Sequence, residues 1–232
     1  MFKTMVAGVV IGAACAGAAV PAEAADDKPD AKVPPAAGLP GVLLLGDSIC
    51  GGYGPMVQKA LQGEADVMYI SHCADTANGL KNLDAWLGDR KWRVIHFNFG
   101  LHDMKYVDAK GERTSPDKGK QLIPSETYEK NLTELAARLK RSGAALVWGT
   151  ITPVPAGANG RVQGDEVKYN AIAKRVMEAN GIAVNDLCGA LGTGPALEDL
   201  RRERNNVHFN PKGYKVLADA VSGGIRTALR QP

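Results

Sequence analysis

The sequence predicts an α/β fold in which a parallel sheet is covered by helices on both faces. Short apolar runs of strand length, mostly β-branched or aliphatic, alternate along the chain with longer segments of helical period. Strands that alternate with helices pair in parallel, because each helix carries the chain back across the sheet. The helical segments also begin and end at residues that are typical of helix caps.

Five strands are predicted from the apolar runs. In chain order they lie at residues 42–46, 66–70, 94–99, 145–150 and 182–185.

The helical pattern is clearest in three places. From Ser125 the apolar residues fall three or four positions apart. A second apolar stripe begins at Asp165 and ends before Gly181, which suits a C-cap. Asn210 and Pro211 are typical of the start of a helix, and they precede the last apolar stripe.

The N-terminal part of the chain is predicted to lie outside the folded domain. Residues 1–24 have a basic start, an apolar stretch of small residues and a small-x-small pattern at Ala22-Glu23-Ala24, as a signal peptide has. Residues 25–39 are rich in Pro and Asp and are expected to form a disordered spacer. Residues 40–232 fit one domain with an ample core. We expect export to the periplasm or beyond the cell, without stable membrane insertion.

Charge and cysteine content exclude several classes of partner. The net charge of +3 is small and spread along the chain, so a nucleic-acid partner is not expected. No CxxC or His-rich spacing accompanies Cys50, Cys73 and Cys188, so neither a zinc site nor any other metal or organic cofactor is expected. Cys50 and Cys73 follow the first two predicted strands. They could form a disulfide in an exported protein or remain buried thiols.

Polar residues follow the carboxyl ends of the predicted strands, which is where parallel sheets bind ligands. The segments concerned are residues 46–48, 72–75, 100–103 and 152–155, and two long loops, 104–124 and 154–164, leave from the same edge. Loops of this length in a compact domain are often functional.

Ser48 and His208 are the two residues in these positions that suit nucleophilic acyl transfer. Ser48 follows the first strand, and His208 stands just before the last predicted helix. Only the fold could bring them together. If they meet, we expect a hydrolase of ester bonds in which Ser48 is the nucleophile and His208 the general base.

At these positions the chain resembles the SGNH, or GDSL, hydrolases, a family of esterases and lipases, over essentially all of residues 40–230. Residues 46–48, Gly-Asp-Ser, match the first block of the family, which carries the nucleophilic serine. Residues 100–103, Gly-Leu-His-Asp, correspond to its Gly-x-Asn-Asp block, and residues 205–208, Asn-Asn-Val-His, to its Asp-x-x-His block. The resemblance implies a three-layer α/β/α, flavodoxin-like fold with a five-stranded parallel sheet, and hydrolysis of an ester.

Two departures from the family concern the oxyanion hole. The second block normally offers a glycine N–H, whereas residues 71–75 read Ser-His-Cys-Ala-Asp. An oxyanion hole needs a backbone N–H rather than a particular side chain, so Cys73 or Ala74 could donate beside Ser48. His102 replaces the Asn of the third block, and a neutral imidazole can also donate one hydrogen bond.

A third departure concerns the partner of the catalytic histidine. Asn205 stands where the family has Asp, and an Asn carbonyl can orient His208 but supplies no charge. Alternatively, Asp199 or Glu203 substitutes for the missing carboxylate, or a backbone carbonyl holds the imidazole. The sequence leaves these possibilities open.

Supporting roles are expected for Asp47, Gly100 and Asp103. Asp47 would brace its own turn, and Asp103 would bind backbone amides around the Ser48 loop. The loop after the third strand is basic, and it is either simply solvated or able to recognise an acidic substrate. Its basic residues are Lys105, Lys110, Arg113, Lys118 and Lys120.

The expected function is that of a secreted serine esterase acting on a small-molecule or glycan ester, chiefly a carbohydrate O-acetyl ester. One alternative is a glycan-binding protein whose catalysis is impaired by Asn205. Another is a lipase or thioesterase for longer acyl chains. A nucleotide-binding protein is disfavoured, because the first turn has no glycine-rich phosphate cradle.

Overall fold

A computed structural model describes residues 38–231 of the chain. The predicted signal peptide and nearly all of the predicted spacer lie outside the described residues. Within residues 38–231, no helix is long and apolar enough to cross a membrane.

Five parallel strands form the central sheet, as the sequence predicts. They are β1 (Gly41–Leu45), β2 (Asp66–Ile70), β3 (Val94–Phe97), β6 (Ala145–Gly149) and β7 (Ala183–Asn185). Their order across the sheet is β2-β1-β3-β6-β7, and every neighbouring pair is parallel. The chain thus starts near the middle of the sheet and changes direction of winding after β2, which is the point where such sheets place their ligand sites.

A second, two-stranded sheet lies in the long loop after β3. It pairs β4 (Tyr106–Val107) with β5 (Lys120–Gln121) in antiparallel fashion. The sequence predicts a loop here, because two-residue strands are too short to show an alternating pattern. An additional bridge between Val107 and Arg113 folds the basic loop back on itself.

Seven helices complete the described part of the chain. They are α1 (Ser48–Ala60), α2 (Thr76–Leu87), α3 (Ser125–Lys140), α4 (Asp165–Asn180), α5 (Leu187–Ala190), α6 (Gly194–Glu198) and α7 (Pro211–Leu229). Helices α1, α5 and α7 pack together, and α2, α3 and α4 form a second group, so the sheet lies between two helical layers. The three-layer α/β/α fold with a five-stranded parallel sheet is therefore confirmed.

The core is the sheet itself, with the inner stripes of the long helices. All five residues of β1 are buried, and so are all four of β3. On α3 the buried positions include Tyr128, Leu132 and Leu135, which are the periodic apolar residues of the sequence pattern. Cys50 and Cys73 are also buried, and no disulfide forms among residues 38–231, so the thiol alternative holds.

Gly52 allows α1 to lie against α7, and its replacement should destabilise the protein. A Cβ at Gly52 would stand 2.1 Å from Cε1 of Tyr214, far inside contact distance. Overpacking of this kind costs about 1–3 kcal/mol, more than the roughly 0.5–1 kcal/mol that alanine gains over glycine in a helix. We expect Gly52→Ala to lower the free energy of unfolding, measured by urea denaturation.

The matched control is Gly223→Ala on the exposed side of α7. A Cβ there meets no atom within 4 Å, so only the helix-propensity term applies. The two substitutions should therefore shift stability in opposite directions. A stabilising Gly52→Ala would contradict close packing of the two helices.

Candidate active site

Ser48 is the first residue of α1 and stands exposed at the carboxyl edge of the sheet. The side chain of Asp47 caps the helix by accepting a hydrogen bond of 2.9 Å from the N–H of Ile49. Ile49 and Cys50 turn inward and are buried, which anchors this first turn. Asp47 braces the turn as predicted, and it leaves the Ser48 hydroxyl free to face outward.

His208 lies in the segment that leads into α7, and backbone hydrogen bonds hold that segment to residues 200–202. The N–H of Arg202 donates to the carbonyl of His208 (3.0 Å), and the N–H of Asn210 donates to that of Leu200 (2.9 Å). Nε2 of His208 lies 2.9 Å from Oγ of Ser48. The fold thus brings together the two residues that the sequence analysis pairs.

Asn206 fixes the tautomer of His208. Its Oδ1 lies 2.9 Å from Nδ1 of His208 and also accepts the backbone N–H of His208, at 3.0 Å. Because a backbone N–H can only donate, the shared Asn206 atom must be the amide oxygen, and Nδ1 must carry the hydrogen. Nε2 is then the bare nitrogen and accepts the hydrogen bond from Ser48.

Asn206, and not Asn205 as predicted, is the residue whose side chain binds Nδ1 of His208. Asn205 is exposed, and no hydrogen bond joins its side chain to His208 within the described part of the chain. The reason is local: an Asn side chain readily binds the backbone two residues ahead, and only Asn206 stands two residues before His208. The sequence contains this signal, an Asn two residues before His208. The Asp-x-x-His spacing of the family points to Asn205 instead.

Within the described residues, no carboxylate is hydrogen-bonded to Nδ1 of His208. Neither Asp199 nor Glu203 makes a hydrogen bond or an ion pair with His208 within residues 38–231. Burial lowers the pKa of His208 below its ordinary value of 6.5, and the Arg202 guanidinium lowers it further, while Asp47 acts in the opposite direction. The imidazole is therefore neutral at neutral pH and suited to accept a proton.

Two backbone N–H groups near Ser48 have no acceptor in the described residues, those of Ser48 itself and Ala74. Cys73 cannot serve in the same way, because its N–H donates to the carbonyl of Gly46 at 2.9 Å. Of the donors that the sequence suggests for an oxyanion hole, Ser48 and Ala74 thus keep their N–H groups available, and the backbone of Cys73 does not.

Ala74 adopts a conformation that normally calls for glycine. Its φ is +54°, and it is the one non-glycine residue with positive φ in residues 38–231. The left-handed region is where a glycine sits at no cost. Ala74 therefore adopts, under strain, the backbone conformation that suits a glycine. The replacement of glycine adds a methyl group and leaves the turn geometry unchanged.

Ala74→Gly should stabilise the protein. Release of the left-handed strain is worth about 1 kcal/mol, partly offset by the greater freedom of glycine in the unfolded chain. A domain of this size then melts roughly 2–4 °C higher per kcal/mol. Ala85→Gly in α2 is the matched control, because Ala85 is exposed in a regular helix and its loss should lower the melting temperature. Equal shifts in both variants would contradict strain at Ala74.

His102 is held neutral beside this site. Burial, together with the positive charges of Lys105 and Arg161, lowers the pKa of His102 to about 3. Its Nδ1 is buried without a hydrogen-bond partner among the described residues. A neutral imidazole keeps one N–H, so His102 retains the donor capacity that the replaced Asn would have had.

Asp103 and Gly100 support the site from behind. Asp103 is fully buried and accepts hydrogen bonds from the N–H and Oγ1 of Thr76, at the start of α2. It therefore ties the third block to the helix after Ala74, and not to the Ser48 loop as expected. Gly100 has φ +139°, and a Cβ there would meet Ile151 at 2.2 Å. Burial raises the pKa of Asp103 to about 7.

Arg201 and Arg161 are two neighbours of the site that the sequence analysis does not single out. Arg201 is buried and donates through Nη1 to the carbonyls of Pro153 (3.2 Å) and Asn206 (3.4 Å), which clamps the His208 segment to the loop after β6. Arg161 donates through Nε to the carbonyl of Leu101 at 2.9 Å. Arg201 also pairs through Nε with Glu198, but its contact with Pro153 and that of Arg161 with Leu101 join segments that are distant in the sequence, so the local sequence does not reveal them.

The fold and the paired Ser48 and His208 define an α/β protein with a hydrolase-like site. A family model, the GDSL-like lipase/acylhydrolase family, matches residues 44–216. The chain belongs to this family and is a hydrolase that acts on esters. Comparison with curated proteins gave no match.

Solved structures of the same fold are similar at low identity. The lipase/acylhydrolase from Enterococcus faecalis has a TM-score of 0.67 at 20% identity, over 82% of this chain and 96% of its own. A variant of the acetyl xylan esterase Axe2 from Geobacillus stearothermophilus has a TM-score of 0.63 at 19% identity, over 81% and 94%. The acetyl xylan esterase AlAXEase has a TM-score of 0.63 at 17% identity, over 80% and 99%. At such identities the likeness is one of fold.

Proposed function

We propose that the protein is a serine esterase in which Ser48 is the nucleophile and His208 the general base. The observation that carries the proposal is the hydrogen-bonded pair Oγ of Ser48 and Nε2 of His208, 2.9 Å apart, with the tautomer set by Asn206. A serine hydroxyl next to the bare nitrogen of a neutral imidazole is the arrangement that nucleophilic acyl transfer needs.

The proposed reaction has two halves. His208 accepts the Ser48 proton as Oγ attacks the ester carbonyl, and the resulting oxyanion accepts hydrogen bonds from the N–H groups of Ser48 and Ala74. His208 then donates the proton to the departing alcohol, which leaves an acyl-serine. Water, deprotonated by His208, attacks the acyl carbon, and Ser48 leaves with the proton.

Asn206 makes this a dyad supported by an amide. The amide oxygen keeps the imidazole in the correct tautomer and orientation, but it offers only a dipole to the imidazolium that forms during attack. Because the orientation is retained, the loss relative to a carboxylate is one of charge alone. The enzyme should therefore be active, but slower than it would be with Asp.

For the substrate we propose a carbohydrate O-acetyl ester. Two of the structural neighbours are named acetyl xylan esterases, which supports a small acyl group on a sugar. The cavity that includes His208 is lined mainly by Arg and Asn side chains, which suits a hydroxyl-rich alcohol better than a hydrocarbon chain. Nitrophenyl esters of increasing acyl length test this choice: activity should be highest with acetate, and a rise beyond about eight carbons would favour the lipase or thioesterase alternative.

The test of the serine mechanism is covalent labelling with a fluorophosphonate, followed by mass spectrometry of the modified peptide. We expect one adduct on the peptide that contains Ser48, and none in Ser48→Ala. The matched control is Ser71→Ala, which removes a half-buried hydroxyl near the second block and should leave labelling intact. A protein that binds glycans but resists the reagent would instead support the non-catalytic alternative.

We also propose export by way of the N-terminal segment. The basic, apolar and small-x-small parts of residues 1–24 motivate this proposal. N-terminal sequencing of the mature protein from an expressing bacterium should then begin at Ala25. A mature chain that still begins at Met1 in the soluble cell fraction would refute it.

A further inference from the structure

Arg161 is a buried cation without an ion-pair partner. Only 7% of its surface is exposed, and its Nε is held by the carbonyl of Leu101. No carboxylate within residues 38–231 forms an ion pair with it. Asp47 acts on it electrostatically from a greater distance, but Oδ1 of Asp47 already accepts the N–H of Ile49.

The free side of Arg161 faces a cavity next to the catalytic histidine. The cavity has a volume of about 300 Å³ and lies between Arg113, Asn159, Arg161 and residues 205–208. With Nε held by Leu101, the two Nη groups of Arg161 are left without a hydrogen-bond partner, and neither is sealed off from the cavity. Four N–H donors of a buried guanidinium are thus available to a ligand.

Arg113 supplies a second positive charge to the same cavity. Its stem packs on Gly160, where a Cβ would meet Cγ of Arg113 at 2.4 Å, and its own position is exposed. It too forms no ion pair in the described residues. No carboxylate lines the cavity, which therefore holds two unneutralised arginines beside His208.

This arrangement is unfavourable unless something negative binds there. A buried charge is normally paired, because loss of its hydration is costly. Burial and the charge of the neighbouring Arg113 together lower the pKa of Arg161 to about 10, while Asp47 acts in the opposite direction. No ion pair with a carboxylate of residues 38–231 offsets these effects at either arginine.

The cavity adjoins His208, the residue that would protonate the departing alcohol. In the proposed reaction Nε2 of His208 gives its proton to the leaving oxygen, so the leaving group must stand next to His208. His208 lines the cavity together with the two arginines. Charge carried by the alcohol portion of the ester would therefore come within reach of Arg161.

We propose that Arg161 and Arg113 form a subsite for a carboxylate on the alcohol portion of the ester, so that the substrates are O-acyl esters of hydroxy acids such as acidic sugars. The proposal rests on the proposed function and narrows its substrate class. A guanidinium that is anchored through Nε presents its Nη edge in a fixed plane, and a planar carboxylate accepts two parallel hydrogen bonds from such an edge. Arg113, which is exposed at the same cavity, adds electrostatic attraction for the carboxylate.

The test compares two aryl acetates that differ in one charge, 3-acetoxybenzoate and 3-acetoxybenzamide. The kcat/KM for the benzoate is divided by that for the benzamide. This ratio is measured for the unaltered enzyme and for Arg161→Gln, Arg113→Gln and Lys118→Gln. Because every variant is compared through the same ratio, the intrinsic reactivity of the two esters cancels. Lys118 is the matched control: it is an exposed cation of the same loop and does not line the cavity.

Arg161→Gln should reduce the ratio about tenfold or more, as expected for loss of a charge-assisted hydrogen bond. Arg113→Gln, an exposed cation, should reduce it about threefold. Lys118→Gln should change it by less than about 1.5-fold at 0.15 M salt, where distant charges are screened. Equal effects of all three would mean general attraction rather than a built subsite and would overturn the proposal.

A binding measurement separates this proposal from that of the esterase. Ser48→Ala cannot form the acyl-enzyme, so its affinity for 3-acetoxybenzoate can be measured by calorimetry without turnover. Tighter binding of the benzoate than of the benzamide, with the preference reduced about threefold on adding Arg113→Gln, supports the subsite even if catalysis is absent. Equal affinities would refute it, even if Ser48 proves to be the nucleophile. Arg113 is exposed, so this result does not depend on the folding of a variant at buried Arg161.

Discussion

Ser48→Ala should reduce kcat/KM for 4-nitrophenyl acetate by about 10⁴-fold or more, as removal of the nucleophile does in serine hydrolases. The variant keeps the backbone N–H groups of Ser48 and Ala74, so the remaining rate reports what the oxyanion hole achieves alone. Kinetic assays over a range of enzyme concentrations, with residual activity corrected for contaminating hydrolases, measure the loss.

Folding is not expected to contribute to this loss. The Ser48 side chain is exposed, and the cap of α1 is made by Asp47, not by Ser48. The melting temperature of Ser48→Ala should therefore match that of the unaltered protein. A variant that keeps more than about a tenth of the activity would show that another group attacks the ester.

Substitutions at Asn206 should change the rate in both directions. Asn206→Ala removes the acceptor that fixes Nδ1–H of His208 and should lower kcat/KM about 10²-fold, within the range that a positioned base supplies. Asn206→Asp keeps the acceptor and adds a negative charge beside the developing imidazolium, so kcat/KM should rise about tenfold. Asn205→Ala is the comparison: its exposed side chain makes no hydrogen bond to His208, and the loss should stay below about threefold.

The pH profile distinguishes orientation from charge at Asn206. His208 must be neutral to act as base, so kcat/KM falls as the pH falls through its pKa. Burial places that pKa below 6.5 in the unaltered enzyme. A carboxylate at position 206 raises the pKa of His208, so the acidic limb of the profile should move up by about 1–2 pH units. An unchanged limb in Asn206→Asp would mean that residue 206 does not face the imidazole.

The strands and long helices could be predicted because their signals are local. The predicted run at residues 66–70 coincides with β2, and helices begin at Ser125, Asp165 and Pro211, the last of them capped by Asn210. These elements bury their own periodic apolar residues, so sequence and structure agree. The pair β4 and β5 has no such pattern, and its position depends on the loop folding back between distant segments.

The site was predictable where a residue's role follows from its place in an element. Ser48 and His208 stand at element ends on one edge of the sheet, and that edge brings them together. The choice between Asn205 and Asn206 could not follow from motif spacing. It depends on which side chain accepts a hydrogen bond from the backbone N–H of His208. The backbone of Cys73 was unsuited for a similar reason, since its N–H is used by Gly46 in the fold.

Arg161 illustrates a harder kind of residue. In the sequence it is one basic residue in a loop of mixed composition, and no sequence pattern marks it as functional. Its significance comes from burial and from the lack of a counter-charge, and both exist only after β6 and the loop that follows have been placed against residues 101–113. The lack of a counter-charge near a residue depends on the three-dimensional fold, so it cannot be predicted from the order of residues in the chain.

The contact between α1 and α7 has a consequence for how the activity could evolve. Ser48 opens one of these helices and His208 stands three residues before the other, so the gap across which the proton moves is fixed by how the two helices seat. Substitutions along that seam, around Gly52 and Tyr214, would change the distance between the two reacting atoms, although neither residue lines the cavity beside His208. Because residues 205–208 carry the catalytic base and also line that cavity, a mutation at the seam would alter turnover and substrate selectivity together.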